Sequence, residues 1–277
     1  MIIMYNMNTM QPVRGGLISE KDPKAGKEFE KIDKADRKKN TNFPATSSNL
    51  YYNKQSRCIA ASKSLGHLVV ANNMGKISIR SIEDFDKKLG SLKEPKYYSE
   101  VMKFSPDEKY FAVGSHDKIL YIYETAADGQ YKLKCKHDKH SSYIGAIDWT
   151  MDGECVRSYD GAHEVLYFNV ATQEYDAHGS ETAKDKHWAS NSMRTQAGDI
   201  LPPGEDKTHV NDTLLNKDQT VLFSTDDFGL VNAFTFPNTA IANSRSWCGH
   251  SEHVSRVAMS KDGQRLFTLG GEDKTLI

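Results

Sequence analysis

Two groups of side chains hold the chemical types needed for nucleophilic attack. His140 is followed by Ser158 and Asp160, and His250 is followed by Thr268 and Asp273. A hydroxyl, an imidazole and a carboxylate together activate an oxygen nucleophile for acyl transfer. His137 and His140 also have the type of a metal pair. Their three-residue offset suits a helix, yet this segment joins two strand-like runs, so zinc is not expected there. No GxGxxG, no GxxxxGK[ST] and no EF-hand loop occurs, so no phosphate or calcium cradle is expected. Cys58, Cys135, Cys155 and Cys248 are scattered and form no CxxC. That usage fits a reducing compartment without structural zinc. No cofactor is expected.

The elements that must place these residues repeat along the chain. A short turn motif recurs at Ser62-Lys63-Ser64, Ser105-Pro106-Asp107, Thr150-Met151-Asp152, Asn216-Lys217-Asp218 and Ser260-Lys261-Asp262. Successive spacings are 43, 45, 66 and 44 residues. Three of the four fall in the ~40–45 residue period of WD40 propellers, and the fourth is longer by about half a repeat. A short alternating run precedes each turn, such as Ile144-Gly145-Ala146-Ile147-Asp148-Trp149. After it come a second apolar run, an Asp- or Gly-bearing turn, and a third run. Apolar β-rich runs separated by such turns predict antiparallel strands. Pro fixes φ, and Asp bonds its own backbone, so both favour the turns.

The reading is therefore all-β: a WD40-type β-propeller of about five blades of four-stranded antiparallel sheet. The blades are expected at 54–95, 96–138, 139–205, 206–248 and 249–277, following an irregular tail over 1–53. Isolated sheets of this size cannot bury both faces, whereas radially packed ones cover each other. The last blade is expected to stop inside its third strand, at Asp273-Lys274-Thr275-Leu276-Ile277. An incomplete or open ring is expected on that count, with exposed strand edges.

Repetition also assigns the histidines. In WD40 blades a His ahead of the first strand, an Asp in the second turn and a strand hydroxyl form a buried hydrogen-bonded network. His140 with Ser158 and Asp160, and His250 with Thr268 and Asp273, fit that scheme. Asp117 and Asp227 are expected at the same turn position in repeats lacking the His. An aromatic stands at the degenerate Trp-Asp position in Tyr123-Glu124, Phe168-Asn169 and Phe234-Thr235. A satisfied network of this kind rigidifies a core and needs no substrate, so the chain is not expected to be an enzyme.

Composition agrees. Hydrophobic residues make up 38% and aromatics 10%, which supports a packed core. Lys and Arg number 36 against 37 Asp and Glu, so no whole-molecule field draws the chain to nucleic acid or membrane. No stretch approaches the ~20 apolar residues that span a bilayer. Residues 1–50 carry 9 basic and 6 acidic side chains, a net of +3, and the remainder nets −4.

Residues 139–153 read Lys-His-Ser-Ser-Tyr-Ile-Gly-Ala-Ile-Asp-Trp-Thr-Met-Asp-Gly. That stretch, the run Ser224-Thr225-Asp226-Asp227-Phe228-Gly229-Leu230-Val231-Asn232-Ala233-Phe234 and the run from Gly249 to Val257 resemble the echinoderm microtubule-associated protein-like family. The long third repeat agrees, because Lys186-His187-Trp188-Ala189-Ser190 and Pro203-Gly204-Glu205-Asp206 are similar to that family's insertion. The resemblance covers about residues 54–277 and lies in the family's C-terminal propeller. It implies a non-catalytic cytoskeletal scaffold, with tubulin, microtubules or axonemal proteins as partners. The place implied is cytoplasm and cytoskeleton, or the axoneme of a cilium or flagellum. The alternative is a generic WD40 scaffold in a non-cytoskeletal complex. Lys31, Lys34, Lys38 and Lys39 in the tail, and Tyr143, Trp188 and Phe228 in loops, are the candidate partner contacts.

Overall fold

In the computed structural model, the structure describes residues 2–5, 12–16, 56–73, 75–193, 210–237, 244–260 and 262–277. It is all-β apart from one helical turn, α1 (Gly179–Thr182), among the described residues. The chain divides into two compact units, residues 1–104 with 108–136, and residues 105–107 with 137–277. Near the start, where an irregular tail was expected, β1 (Ile2–Tyr5) and β2 (Pro12–Gly16) pair as an antiparallel hairpin.

The first unit holds two four-stranded meanders. One is β3 (Ser56–Ser62), β4 (His67–Asn72), β5 (Ile77–Ser81) and β6 (Lys88–Leu92). The other is β7 (Ser99–Phe104), β8 (Tyr110–Ser115), β9 (Leu120–Glu124) and β10 (Lys132–His137). The period-2 alternation of strands explains the packing. Val69, Ala71, Ile77 and Ile79 from the first sheet meet Met102, Phe111, Val113 and Tyr123 from the second. The opposite face of β4 presents Leu68 and Val70 to Phe85.

The second unit holds two more meanders and a smaller sheet. The third sheet is β11 (Ile144–Trp149), β12 (Cys155–Asp160), β13 (Val165–Asn169) and β14 (Glu174–Asp176). The fourth is β15 (Val210–Leu215), β16 (Val221–Asp226), β17 (Leu230–Thr235) and β18 (Ser244–Cys248). The fifth is the pair β19 (Val254–Met259) and β20 (Leu266–Gly270). Beyond β20 the chain starts a third line: Leu269 bridges Leu276, and Thr268 and Ile277 exchange both backbone bonds.

The recurring motif forms the turn between the first and second strands of each sheet. Each such turn ends in a residue of positive φ: Gly66, Glu108, Gly153, Gln219 and Gly263. In three of them a hydroxyl donates to an Asp two residues on, in Ser105–Asp107, Thr150–Asp152 and Ser260–Asp262. The next turn repeats as well. Gly75, Lys118, His163 and Gly229 all have positive φ, each three residues past Asn72, Ser115, Asp160 and Asp226. In the fifth sheet this turn is one residue longer, with Lys274 four past Gly270.

The aromatic expected at the Trp-Asp position is buried in each case. Tyr123, Phe168 and Phe234 lie opposite Phe111, Val156 and Leu222. In the first sheet Arg80 takes that register and donates to the Phe85 carbonyl at 2.8 Å.

Candidate partner-binding surface and its buried supports

His140 lies just ahead of β11 with its side chain and that of Asp160 wholly buried. Nε2 meets Ser158 Oγ at 2.6 Å, and Nδ1 meets Asp160 Oδ2 at 3.2 Å. A carboxylate only accepts, so Nδ1 carries the hydrogen, and Nε2 of the neutral ring accepts from the serine hydroxyl. Asp160 also accepts from the backbone N–H groups of Ser142, Ala162 and Glu164. Burial holds His140 below the ordinary histidine range, against the pull of Asp160. Burial alone would raise the Asp160 carboxyl. The hydrogen bonds from Glu164, Ser142, His140 and Ala162 outweigh it and hold the group below the usual carboxylate range. Ser158 has no exposed surface, so its hydroxyl cannot reach a substrate, and the trio acts as a brace.

The fifth sheet repeats the brace with a different reach. His250 Nε2 meets Thr268 Oγ1 at 2.8 Å, and Nδ1 meets Asp273 Oδ2 at 3.0 Å and Thr275 Oγ1 at 2.9 Å. Asp160 ends its strand, whereas Asp273 lies inside the longer turn.

Where no histidine is present, other donors serve the turn carboxylate. Asp117 accepts from the N–H of Lys96 and Ile119 and from the Tyr121 hydroxyl at 2.8 Å. The structure corrects the expected position in two sheets: in the second, Ser115 takes the register of Asp160 and Asp117 lies two residues beyond it, and the fourth is corrected as well. Asp226, not Asp227, accepts from the N–H of Phe228 and Leu230 and from Asn232 Nδ2. Asp226 is buried and opposite Val210, which gives it the register of Asp160. Asp227 points outward and accepts from Asn211 Nδ2 at 2.9 Å.

Two further polar centres escaped the sequence reading. Asp148, in the middle of an otherwise apolar strand, is fully buried. It accepts from Arg157 (3.1 Å), from Ser190 Oγ, and from both the N–H and hydroxyl of Ser192. Arg157 also donates to Asn191 Oδ1 at 2.8 Å. These bonds tie the inserted segment along β11, where Met151 N–H donates to the His187 carbonyl and Ala189 N–H to that of Trp149. The only signals available were a carboxylate in β11, an arginine in β12 and the overlong 66-residue spacing. In the first unit His67 Nε2 donates to the Ala127 carbonyl at 3.1 Å, and Nδ1 meets Tyr131 OH at 2.8 Å.

The braces present three candidate contacts of unlike character. Phe228 is 62% exposed on the turn that Asp226 fixes from inside. Tyr143 is 38% exposed, directly ahead of β11 and beside the Gly161 turn. Trp188 is half-buried: the Arg157 guanidinium lies 4.0 Å from its ring centroid, and Tyr167 meets it edge-on. Trp188 is thus packed into the second unit as well as reachable. Trp247 on β18 is also exposed. Lys31, Lys34, Lys38 and Lys39 lie outside the described residues. Among the described residues no group of three or more His, Cys, Asp or Glu is placed to hold a metal, and no helix is long and apolar enough to cross a membrane.

Known proteins place the chain in a family. The family model of the echinoderm microtubule-associated protein second β-propeller matches residues 37–277, beginning ahead of the expected blade boundary. A ciliary WD repeat-containing protein, ctxp80, of Euplotoides octocarinatus is 35% identical over 215 residues, covering 76% of this chain and 30% of that protein. The 77 kDa echinoderm microtubule-associated protein of Strongylocentrotus purpuratus is 36% identical over 63% of this chain and 26% of its own length. Human echinoderm microtubule-associated protein-like 3 is 33% identical over 64% of this chain and 20% of its own. The chain thus spans less than a third of the length of these relatives. A chain from the crystal structure of a mitotic checkpoint complex shares the fold alone, with a TM-score of 0.50 and 14% identity over 79% of this chain and 62% of that one. With a buried His–Asp brace in two of its sheets and a family match over most of its length, this chain belongs to the echinoderm microtubule-associated protein family, in the region of its second β-propeller.

Proposed function

We propose that the chain is a non-catalytic scaffold that associates with microtubules or with an axoneme. The observation that carries this is the family match over residues 37–277, joined by relatives named as microtubule-associated and ciliary. The buried braces support the non-catalytic part. Their hydroxyls and imidazoles are consumed in holding sheets, and the surface they hold offers contact area in place of a reacting group. Phe228 and Tyr143 supply apolar contacts on fixed turns, and the basic tail residues Lys31, Lys34, Lys38 and Lys39 supply attraction to an acidic polymer. The place of action on this reading is the cytoskeleton of the cytoplasm or cilium.

Co-sedimentation with polymerised tubulin tests it. The folded chain is expected in the pellet at low salt and in the supernatant as salt rises. A folded chain that stays in the supernatant at low salt ends the proposal, and an affinity capture dominated by non-cytoskeletal proteins then supports a scaffold of another assembly.

A further inference from the structure

We infer that a cleft in the second unit, beside Trp188, binds an acidic peptide segment that also carries an apolar side chain. The cleft encloses about 350 Å³, within the range of sites that seat small ligands or side chains. Its apolar wall is made by Tyr167, Trp188, Leu215 and Phe236. Its charged lining is entirely basic in type: Arg157, Lys184, Lys186 and His187, with no carboxylate among the lining residues.

The partners of these cations decide what is left for a ligand. Arg157 is held by Asp148 and Asn191, and its guanidinium covers one face of the Trp188 ring. It therefore fixes the wall. Lys186 is held by Asp152 (3.1 Å) and Glu154 (2.9 Å) from the turn between β11 and β12. Those bonds keep its ammonium protonated, well above the ordinary lysine range. Lys184 is exposed, and among the described residues no partner meets its side chain or that of His187. What the cleft lacks is one anion near Lys184 and one apolar group against the aromatic wall. A peptide with a carboxylate next to an aromatic or aliphatic residue provides both. A nucleotide fits less well: no glycine lines the cleft, so no close run of backbone N–H groups is offered to phosphates. The inference goes beyond the microtubule reading and can be decided without any polymer.

Fluorescence anisotropy on the full chain tests it with three labelled peptides: six glutamates ending in phenylalanine, six glutamines ending in phenylalanine, and six glutamates alone. The first is expected to bind more tightly than the other two. Lys184→Glu is expected to weaken it about tenfold, on the order of one charge contact reversed at a half-open site. Lys217→Glu, an exposed lysine outside the cleft, is expected to change it less than about twofold. Thermal melting confirms that both variants fold, since both side chains are exposed. Equal affinity for the glutamine peptide overturns the inference. So does an unchanged affinity on Lys184→Glu, an equal loss on Lys217→Glu, or displacement of the peptide by ATP or GTP in place of free glutamate-rich peptide.

Discussion

A carboxylate held in a turn, fully or partly buried, must find donors, and four sheets meet this need with three side-chain types. His140 and His250 serve Asp160 and Asp273, Tyr121 serves Asp117, and Asn232 serves Asp226. Tyr121 and Asn232 occupy the same register, six residues past Ser115 and Asp226. Turn chemistry marks the neighbourhood of each aspartate but not its register, since Asp117 lies two residues past Ser115, which takes the register of Asp160. The tyrosine and asparagine were not legible, because in sequence each is an ordinary strand residue. Asp226 and Asp227 are neighbours of one type, and only the strand register tells which of them faces inward. His140→Ala is expected to cost about 2–4 kcal/mol in chemical denaturation, because it leaves a cavity and takes from the buried Asp160 its side-chain donor and from the buried Ser158 hydroxyl its acceptor. Ser158→Ala removes one hydroxyl donor and is expected to cost about 1 kcal/mol. The pH dependence follows from the direction of the shifts. Burial lowers His140, His137 and His116, so each is neutral in the fold where the unfolded chain already takes up a proton. Below about pH 6.5, the ordinary histidine value, the unfolded state holds more protons. Stability is therefore full above that point and declines as pH falls toward the lowered folded values. Asp160 stays ionised through this window, since its own shift is downward. The denaturation midpoint should drop from about pH 7.5 to 5.5, and His140→Gln should flatten that slope relative to its own midpoint. A slope unchanged in the variant would take His140 out of the account.

At the scale of elements, the two recurring turns set the ends of the strands, and the glycines separate two kinds of constraint. Gly229 has φ +80°, and a Cβ there would lie 2.6 Å from the His250 carbonyl oxygen and 3.0 Å from that of Glu252. Gly263 has φ +73°, with Met259 Sδ as its nearest neighbour at 3.9 Å. Gly263→Ala should therefore show the left-handed backbone cost alone, about 1–2 kcal/mol. Gly229→Ala should cost about 1–3 kcal/mol more, because the fourth and fifth sheets must also separate locally. Equal losses in thermal melting would mean that the turn yields and the close approach is soft. The position of the turns was legible from their residue types and their spacing. The course of the inserted segment was not. An overlong third repeat announces extra residues, yet nothing local says that 187–192 returns along β11. The return is specified by Asp148, whose carboxylate collects donors from Arg157, Ser190 and Ser192 across more than forty residues. Asp148→Ala is expected to loosen that segment while the sheets persist. Limited proteolysis should then cut near 184–193 many times faster than in the parent chain, with cooperative melting retained at a lower temperature. Unchanged cutting would show that the backbone bonds to Trp149 and Met151 suffice.

For the whole molecule the deciding quantity is where the charge sits. The chain nets −1, but residues 1–50 net +3 and the rest −4. An acidic polymer is therefore repelled on average by the sheets and attracted by the tail, and the two contributions respond differently to substitution. The family and the strand repeat were legible in sequence because they recur over hundreds of residues, whereas the candidate contacts Tyr143, Trp188 and Phe228 are single loop positions with no period to read. Exchanging Lys31, Lys34, Lys38 and Lys39 for glutamate takes the first fifty residues from +3 to −5, since each exchange removes two charges. The exchange leaves the sequence of the five sheets unaltered, so the melting transition is expected to stay where it is. Pelleting with polymerised tubulin is expected to fall several-fold at low salt, and its steep decline with added salt should largely vanish, because exposed charges beyond a Debye length of ~10 Å at 0.1 M salt are screened. If the variant pellets as the parent does, with the same salt response, attraction arises from local patches on the sheets. Phe228→Ala and Tyr143→Ala then become the informative changes, since contact made through fixed aromatic side chains is lost on truncation at any salt concentration.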